Sequence, residues 1–138
     1  MEKFLNPVAR LFIAHIFLLS GLSKIGQYAG TQAYMEAMGV PGALLPAVIL
    51  LEVVAAVMLI VGWQTRWAAL GLAGFTIISA IIFHANFADQ THMIMFMKNG
   101  AITGGLLLLA ANGAGYFSVD NHRSRQRQMT HGHAGATA

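Results

Sequence analysis

The sequence contains no cysteine and very few charged residues. The absence of cysteine among the 138 residues excludes disulfides, thiol relays, cysteine-ligated iron–sulfur clusters and thiolate zinc sites. Only 9% of the residues are charged and 57% are hydrophobic, whereas a soluble domain carries roughly a quarter charged residues. Such a chain has too little polar surface to cover a globular domain in water, so we expect most of it to lie in a lipid bilayer.

Charges of either sign are too sparse to form a large interaction surface. Eight lysines and arginines stand against five aspartates and glutamates, for a net charge of +3. Three of the bases crowd into the C-terminal tail, at Arg123, Arg125 and Arg127. We therefore expect no nucleic-acid partner, and the head groups of a lipid bilayer are the expected counter-charge.

Four stretches are long and apolar enough to cross a bilayer, at 8–26, 43–62, 67–87 and 93–111. A transmembrane helix needs roughly 17 to 25 residues. The stretches lack the alternation of strands, and backbone groups in lipid must find their partners within the same helix. The sequence thus predicts an all-α fold, an integral membrane four-helix bundle. No convincing cleavage site follows the first stretch, so we interpret it as a span and not as a signal peptide.

The segment between the first two stretches, residues 27–42, is too short and too polar to span a membrane. Its Tyr34 and Met38 stand four positions apart, which places them on one face of a helix. A Gly-Val-Pro-Gly turn follows at 39–42, and glycine and proline stop a helix there. The pattern predicts a short amphipathic helix across the outer mouth of the bundle.

The end of the chain differs from the rest in composition. Residues 118–138 are small, polar and basic, and such a segment buries too little apolar surface to fold. We therefore expect a membrane domain at 1–117 and a disordered, basic cytoplasmic tail after it. His131 and His133 in the tail lack a third ligand, so we expect no metal site.

A carboxylate interrupts the second apolar stretch. Glu52 lies about nine residues from either end, which at about 1.5 Å per residue places it roughly 14 Å from either surface. An acid at that depth must pair, contact water in a cavity or stay protonated. Helical side chains lean toward the N-terminus of their own helix, so Lys24 and Glu52, on antiparallel spans, lean toward each other.

Further polar side chains fall in the same outer half of the bundle, namely His84, Lys98 and Asn99. Together with Lys24 and Glu52 they predict one polar cluster. Each also has a structural interpretation: the Lys24–Glu52 pair fixes helix register, and Lys98 reaches the interface as an anchor. The small residues Gly104 and Gly105 are interpreted as packing positions between helices.

The order and spacing of several short motifs resemble the DoxX family. The resemblance covers about residues 8–111 and implies a four-helix protein of the bacterial inner membrane. The polar positions that match the family are Lys24, Glu52, Arg66, His84, Lys98 and Asn99. The motifs are FLLSGLSKI at 17–25, Tyr34-Met35, Gly39-Val40-Pro41, Val61-Gly62, Thr65-Arg66, Phe83-His84, MFMKN at 95–99 and GGLLLL at 104–109.

The resemblance implies a redox-associated subunit, linked to quinone or similar to a thiosulfate:quinone oxidoreductase. The expected ligands are a quinone or a small sulfur compound, the expected partner is a second redox subunit, and no covalently bound cofactor is expected. On this hypothesis Glu52 and His84 are the catalytic candidates, because an intramembrane acid and an imidazole can move protons. Lys24, Lys98 and Asn99 are the ligand-binding candidates, and Arg66 is assigned a structural role.

A non-catalytic role is the alternative hypothesis. A membrane scaffold or a small-solute permease would use the same polar cluster to hold helices together or to pass a solute. A bis-histidine haem is not expected, because His15 lies in the inner half of its span and His84 near the outer end of another.

The distribution of bases predicts the orientation in the membrane, since cytoplasmic loops carry an excess of lysine and arginine. Lys3, Arg10, Arg66 and the tail arginines fall on one side, so both termini should face the cytoplasm. Reporter fusions at Ala138 and near Thr31 should therefore lie in opposite compartments. A periplasmic signal from the fusion at Ala138 would contradict this orientation.

Overall fold

The structure, a computed structural model, describes residues 1–136. Within that range the chain forms helices and no strands, which confirms the predicted all-α class. A short 3₁₀ helix at Gly42–Leu44 precedes the third long element. The α-helices are α1 (Glu2–Gly26), α2 (Tyr28–Ala37), α3 (Leu45–Val61), α4 (Thr65–Phe83), α5 (Gln90–Asn112) and α6 (Val119–Ala136).

Four of the helices, α1, α3, α4 and α5, are long and apolar enough to cross a membrane. The α4 helix ends four residues earlier than the apolar stretch predicts, because the backbone leaves helical geometry at His84. The α5 helix begins earlier than predicted, because Asp89 caps it. The Asp89 carboxylate accepts hydrogen bonds from the backbone N–H groups of Thr91 and His92, at 2.8 and 3.3 Å, and so satisfies amides that have no partner within the helix.

The spans pack in the order α1, α3, α4, α5, while α1 and α5 contact each other at few positions. Small side chains dominate the buried core, as is common where helices approach closely in lipid. The large apolar side chains mostly point outward, and Trp67, at one end of α4, is 73% exposed. The core consists of Ala14, Phe17, Ala55, Ala56, Leu59, Ala68, Ala69, Leu72, Ala73, Leu106 and Leu109.

Arg10 joins three parts of the chain at the end of the bundle that carries the termini. The sequence places it only among the bases on the cytoplasmic side, and the structure shows that it is buried, with 1% of its surface exposed. Its guanidinium donates to the backbone oxygens of Leu59 and Ile60, at 3.0 and 3.3 Å, and to that of Phe117. It also donates to the Asn6 side chain at 3.0 Å. Arg10 therefore ties α1 to the end of α3 and to the segment after α5.

The tail forms a helix where the sequence predicts disorder. Asp120, in the first turn of α6, accepts hydrogen bonds from the backbone N–H groups of Gln64 and Thr65, at 2.7 and 3.0 Å. It thereby caps the start of α4 and anchors α6. Hydrogen bonds along the helix add local support, such as the one from Thr130 Oγ1 to Gln126 O at 3.0 Å. Composition alone misses this anchor, because it depends on a contact with a distant helix.

Only the part of the predicted tail up to residue 136 is described, and residues 137 and 138 lie outside it. The division into a membrane domain at 1–117 and a separate tail stays a prediction. The α6 helix has few contacts with the four spans, and its described side chains are largely exposed.

Close approach of α1 and α3 at Gly21 generates a stability prediction. A Cβ at Gly21 would lie 2.7 Å from Val53 Cγ2, whereas a Cβ at Gly74 on α4 would meet nothing within 4 Å. Gly21→Ala should therefore destabilise the protein by about 1–3 kcal/mol through overpacking. The matched Gly74→Ala should be neutral or stabilising, because alanine favours a helix. Thermal melts in detergent measure both changes, and equal effects would contradict the close approach.

Candidate functional site

A partly open cavity of about 500 Å³ lies among the helices, at the end of the bundle away from the termini. All four spans contribute to its wall, and α2 covers it. The wall is mainly apolar, with residues such as Phe17, Val48 and Phe75. The polar side chains that line it are Ser20, Lys24, Thr31, Tyr34, Glu52, Thr76, Ser79, His84 and Asn99.

The α2 helix confirms the predicted short helix in the first loop, but its inner face differs from the prediction. Met35 is buried, whereas Met38 is exposed. Tyr34 lines the cavity and stacks on Phe83 of α4, with ring centroids 5.4 Å apart. Gln32 Nε2 donates to Gly42 O at 3.2 Å. These contacts join α2 to α4 and to the short 3₁₀ helix before α3.

Lys24 and Glu52 meet at the cavity wall, as the leaning of their side chains predicts. Lys24 Nζ lies 2.7 Å from Glu52 Oε1 and 2.7 Å from Ser20 Oγ. The Glu52 side chain is 1% exposed and the Lys24 side chain 25%, so the carboxylate is shielded from solvent while the ammonium is partly exposed. The second carboxylate oxygen, Oε2, is buried and has no hydrogen-bond partner among the described residues. The pair thus joins α1 to α3 and leaves one acceptor unsatisfied.

His84 lies beside a second histidine that sequence reasoning missed. The Nδ1 atoms of His84 and His92 are 3.4 Å apart, and the ring centroids are 5.6 Å apart. The pKa of His84 is lowered from its ordinary value, first by burial and then by the neighbouring His92. Both effects therefore favour the neutral imidazole of His84 at pH 7. Asp89 is the residue from which the position of His92 can be predicted. An aspartate there caps α5 and starts the helix early enough to place His92 in its first turn.

Asn99 and Lys98 are adjacent in sequence but separate in the structure. Asn99 lines the cavity, and its side-chain amide has no partner among the described residues. Lys98 is exposed and does not line the cavity. Consecutive residues on an α-helix point about 100° apart, and here Asn99 lines the cavity while Lys98 points away from it. The structure brings Lys24, Glu52, His84 and Asn99 around the cavity and places Lys98 outside it.

The three residues predicted to be structural have different surroundings. Gly105 faces α1, because a Cβ there would lie 3.3 Å from Ile13 Cδ1. A Cβ at Gly104 would meet nothing within 4 Å, so this residue does not pack closely. Arg66 is exposed at the opposite end of the bundle. Its guanidinium lies against the backbone of Gly113, where a Cβ would be 3.2 Å from Nε.

The donors of the site suit an oxygen-rich head group better than a metal. Among residues 1–136 no group of three or more His, Cys, Asp or Glu side chains could hold a metal ion. An ammonium has three donors, and two of those on Lys24 are used by Ser20 and Glu52. One Lys24 donor and the Asn99 amide remain for a ligand, at one end of an apolar cavity.

The buried ion pair generates a double-mutant prediction. Glu52→Gln or Lys24→Met alone leaves the other charge unpaired in a poorly solvated site, which should cost about 3–5 kcal/mol. The double variant should recover most of that loss, since a neutral pair strands no charge. Glu36→Gln on α2, where the acid is exposed, is the matched control and should change little. Thermal melts in detergent measure all four variants, and strictly additive losses would contradict a direct pair.

Comparison with known proteins agrees with this architecture. The DoxX family pattern matches residues 6–85. The chain is 52% identical to the inner membrane protein YqjF of Escherichia coli (strain K12) over 113 residues, which cover 82% of this chain and 87% of the relative. It is 36% identical to the inner membrane protein YphA of the same strain over 121 residues, with 82% and 86% covered. No solved structure matches. With four membrane-crossing helices and these relatives, the chain is a multi-pass inner membrane protein that belongs to the DoxX family.

Proposed function

We propose that the cavity binds the head group of a lipid-soluble quinone and that the protein is a redox-associated subunit of the inner membrane. The observation that carries this proposal is the convergence of Lys24, Glu52, His84 and Asn99 on one apolar cavity. Intramembrane ionisable residues are costly in lipid and commonly mark a ligand or proton path.

The size and lining of the cavity support an aromatic or quinonoid ligand. Small-molecule sites commonly measure roughly 300–1,000 Å³ and combine apolar walls with a few polar groups. A cavity of about 500 Å³ with phenylalanine and isoleucine in its wall fits this class. A quinone ring would contact Phe17 and Phe75, while its carbonyl oxygens would need hydrogen-bond donors.

Suitable donors are present at the polar end. Lys24 on α1 and Asn99 on α5 line the same cavity. The remaining donor of Lys24 and the Asn99 amide would therefore approach a ligand from two different helices. The neutral imidazole of His84 can donate from one nitrogen while the other accepts. Glu52 would take up or release a proton when the bound quinone changes its redox state.

The sparse contact between α1 and α5 supports entry from the bilayer. Ile16 and Ser20 on α1, and Asn99 and Ile102 on α5, line the cavity. Ile16 is also exposed on the outer surface. An isoprenoid tail would extend between these helices into lipid, while the head group stays in the cavity.

Electron transfer through this chain would not use protein thiols, since no cysteine is present. If the protein has the proposed function, a partner redox subunit or a small sulfur compound exchanges electrons with the bound quinone. This subunit's own residues bind the head group, exclude water and hold protons.

The alternative function is a scaffold or permease. The observation that favours it is the ion pair of Lys24 and Glu52, because this pair joins α1 to α3. A pair kept only for packing needs no ligand. The two functions therefore predict different results for quinone binding. A redox subunit binds quinone, and a variant can lose that affinity while it keeps its stability, whereas a scaffold or permease has no quinone affinity to lose.

We predict that gently purified protein contains quinone in its lipid extract and that a short-chain quinone raises its melting temperature. Asn99→Leu and His84→Gln should each weaken quinone binding about 5- to 150-fold, because each removes a hydrogen bond worth about 1–3 kcal/mol in a buried site. Both variants should melt near the wild type, since neither strands a charge. Equilibrium titration in detergent measures the affinity.

Lys98→Gln is the matched control, because Lys98 neighbours Asn99 in sequence but lies outside the cavity. Its quinone affinity should equal that of the wild type. If wild-type protein binds no quinone, or if Asn99→Leu and His84→Gln keep full affinity, the cavity is not a quinone site and the scaffold function is favoured.

A further inference from the structure

The unpartnered oxygen of Glu52 constrains what the cavity can bind. Lys24 Nζ donates a hydrogen bond to Oε1 at 2.7 Å, while Oε2 is buried without a hydrogen-bond partner among the described residues. An ionised carboxylate is acceptor-only. The missing partner of Oε2 must therefore be a donor.

No neighbouring side chain in the wall supplies that donor. The Thr76 hydroxyl, which is buried, donates to Leu72 O at 2.6 Å. Lys24 Nζ is directed at Oε1 and at Ser20 Oγ. Oε2 itself is shielded by the protein, but Glu52 lines the cavity and the terminal torsion of a glutamate side chain is soft. A small rotation of the carboxylate therefore lets an occupant of the cavity donate to Oε2 and satisfy a buried polar atom whose lack of a partner costs free energy.

We infer that the cavity selects a ligand whose head group donates a hydrogen bond to Glu52 Oε2, and that among quinones it favours the reduced hydroquinone over the oxidised form. This inference rests on the proposed function. It adds to that function the redox state of the preferred ligand.

The two redox forms differ in the group that they present to Oε2. A quinone carbonyl is only an acceptor, and placing it against a carboxylate oxygen leaves both atoms without a donor. A hydroquinone hydroxyl donates to the carboxylate, in a charge-assisted hydrogen bond that is stronger than a neutral one. The remaining donors of Lys24 and Asn99 serve an oxygen of either form, so the preference arises at Glu52.

Such a preference changes the redox behaviour of the bound ligand. Tighter binding of the reduced form raises the midpoint potential of the bound quinone couple relative to the free couple. For a two-electron couple, a tenfold preference corresponds to about 30 mV. The site would thus hold the product of quinone reduction more strongly than its substrate.

The test uses full-length protein in detergent under anaerobic conditions. The probes are a benzoquinone with a short isoprenoid tail and its chemically reduced hydroquinone, each titrated separately. Wild-type protein should bind the hydroquinone about tenfold more tightly, as expected for one satisfied charge-assisted hydrogen bond. In the double variant Lys24→Met/Glu52→Gln the ratio of the two affinities should fall toward one, because an amide presents a donor as well as an acceptor.

Glu36→Gln is the control, since it makes the same chemical change at an exposed acid outside the cavity wall. It should keep the wild-type ratio. Equal affinities of wild-type protein for both forms, tighter binding of the oxidised form, or a ratio that persists in the double variant would each overturn the inference while quinone binding stands. Failure of wild-type protein to bind either form would overturn the proposed function and the inference with it.

Discussion

Burial of the Glu52 carboxylate is the constraint on which the rest of the structure depends. A charge at this depth needs a partner, and Lys24 of the neighbouring helix provides it at 2.7 Å. The pair joins α1 to α3 beside the point of their close approach, where a Cβ at Gly21 would lie 2.7 Å from Val53 Cγ2 and 3.4 Å from Glu52 Cβ. The same pair defines the polar end of the cavity, so helix packing and the candidate site share one interaction.

The two ends of the bundle use their buried charges differently. Near the termini, Arg10 donates to the backbone oxygens of Leu59, Ile60 and Phe117 and to Asn6. These bonds join chain segments, and no ligand is needed to complete them. At the other end Glu52 Oε2 has no hydrogen-bond partner among residues 1–136, and the side chain lines the cavity. A closed network suits a structural role, whereas an incomplete one at a cavity suits ligand binding.

The site could be predicted from sequence only in part. Glu52 and Lys24 were predicted to meet because depth and the direction of helical side chains follow from the helix geometry alone. The sequence groups Lys98 with Asn99, but only Asn99 lines the cavity, because the outer half of a span is a statement about depth and not about the direction around the helix. His92 was missed, since its position beside His84 depends on the Asp89 cap and on the short connection between α4 and α5.

The sequence by itself determined the class of structure: long apolar runs in a chain with 9% charged residues permit only membrane-spanning helices, because lipid offers no partner for backbone groups. The tertiary structure decided which polar side chains share a cavity, that Arg10 is buried, and that Asp120 anchors a helix where composition predicts disorder. The physical reason is the same in each case. Hydropathy identifies the spans, and the position of a residue along its span gives its depth in the membrane. The rotation of each helix about its axis is instead set by packing against its neighbours.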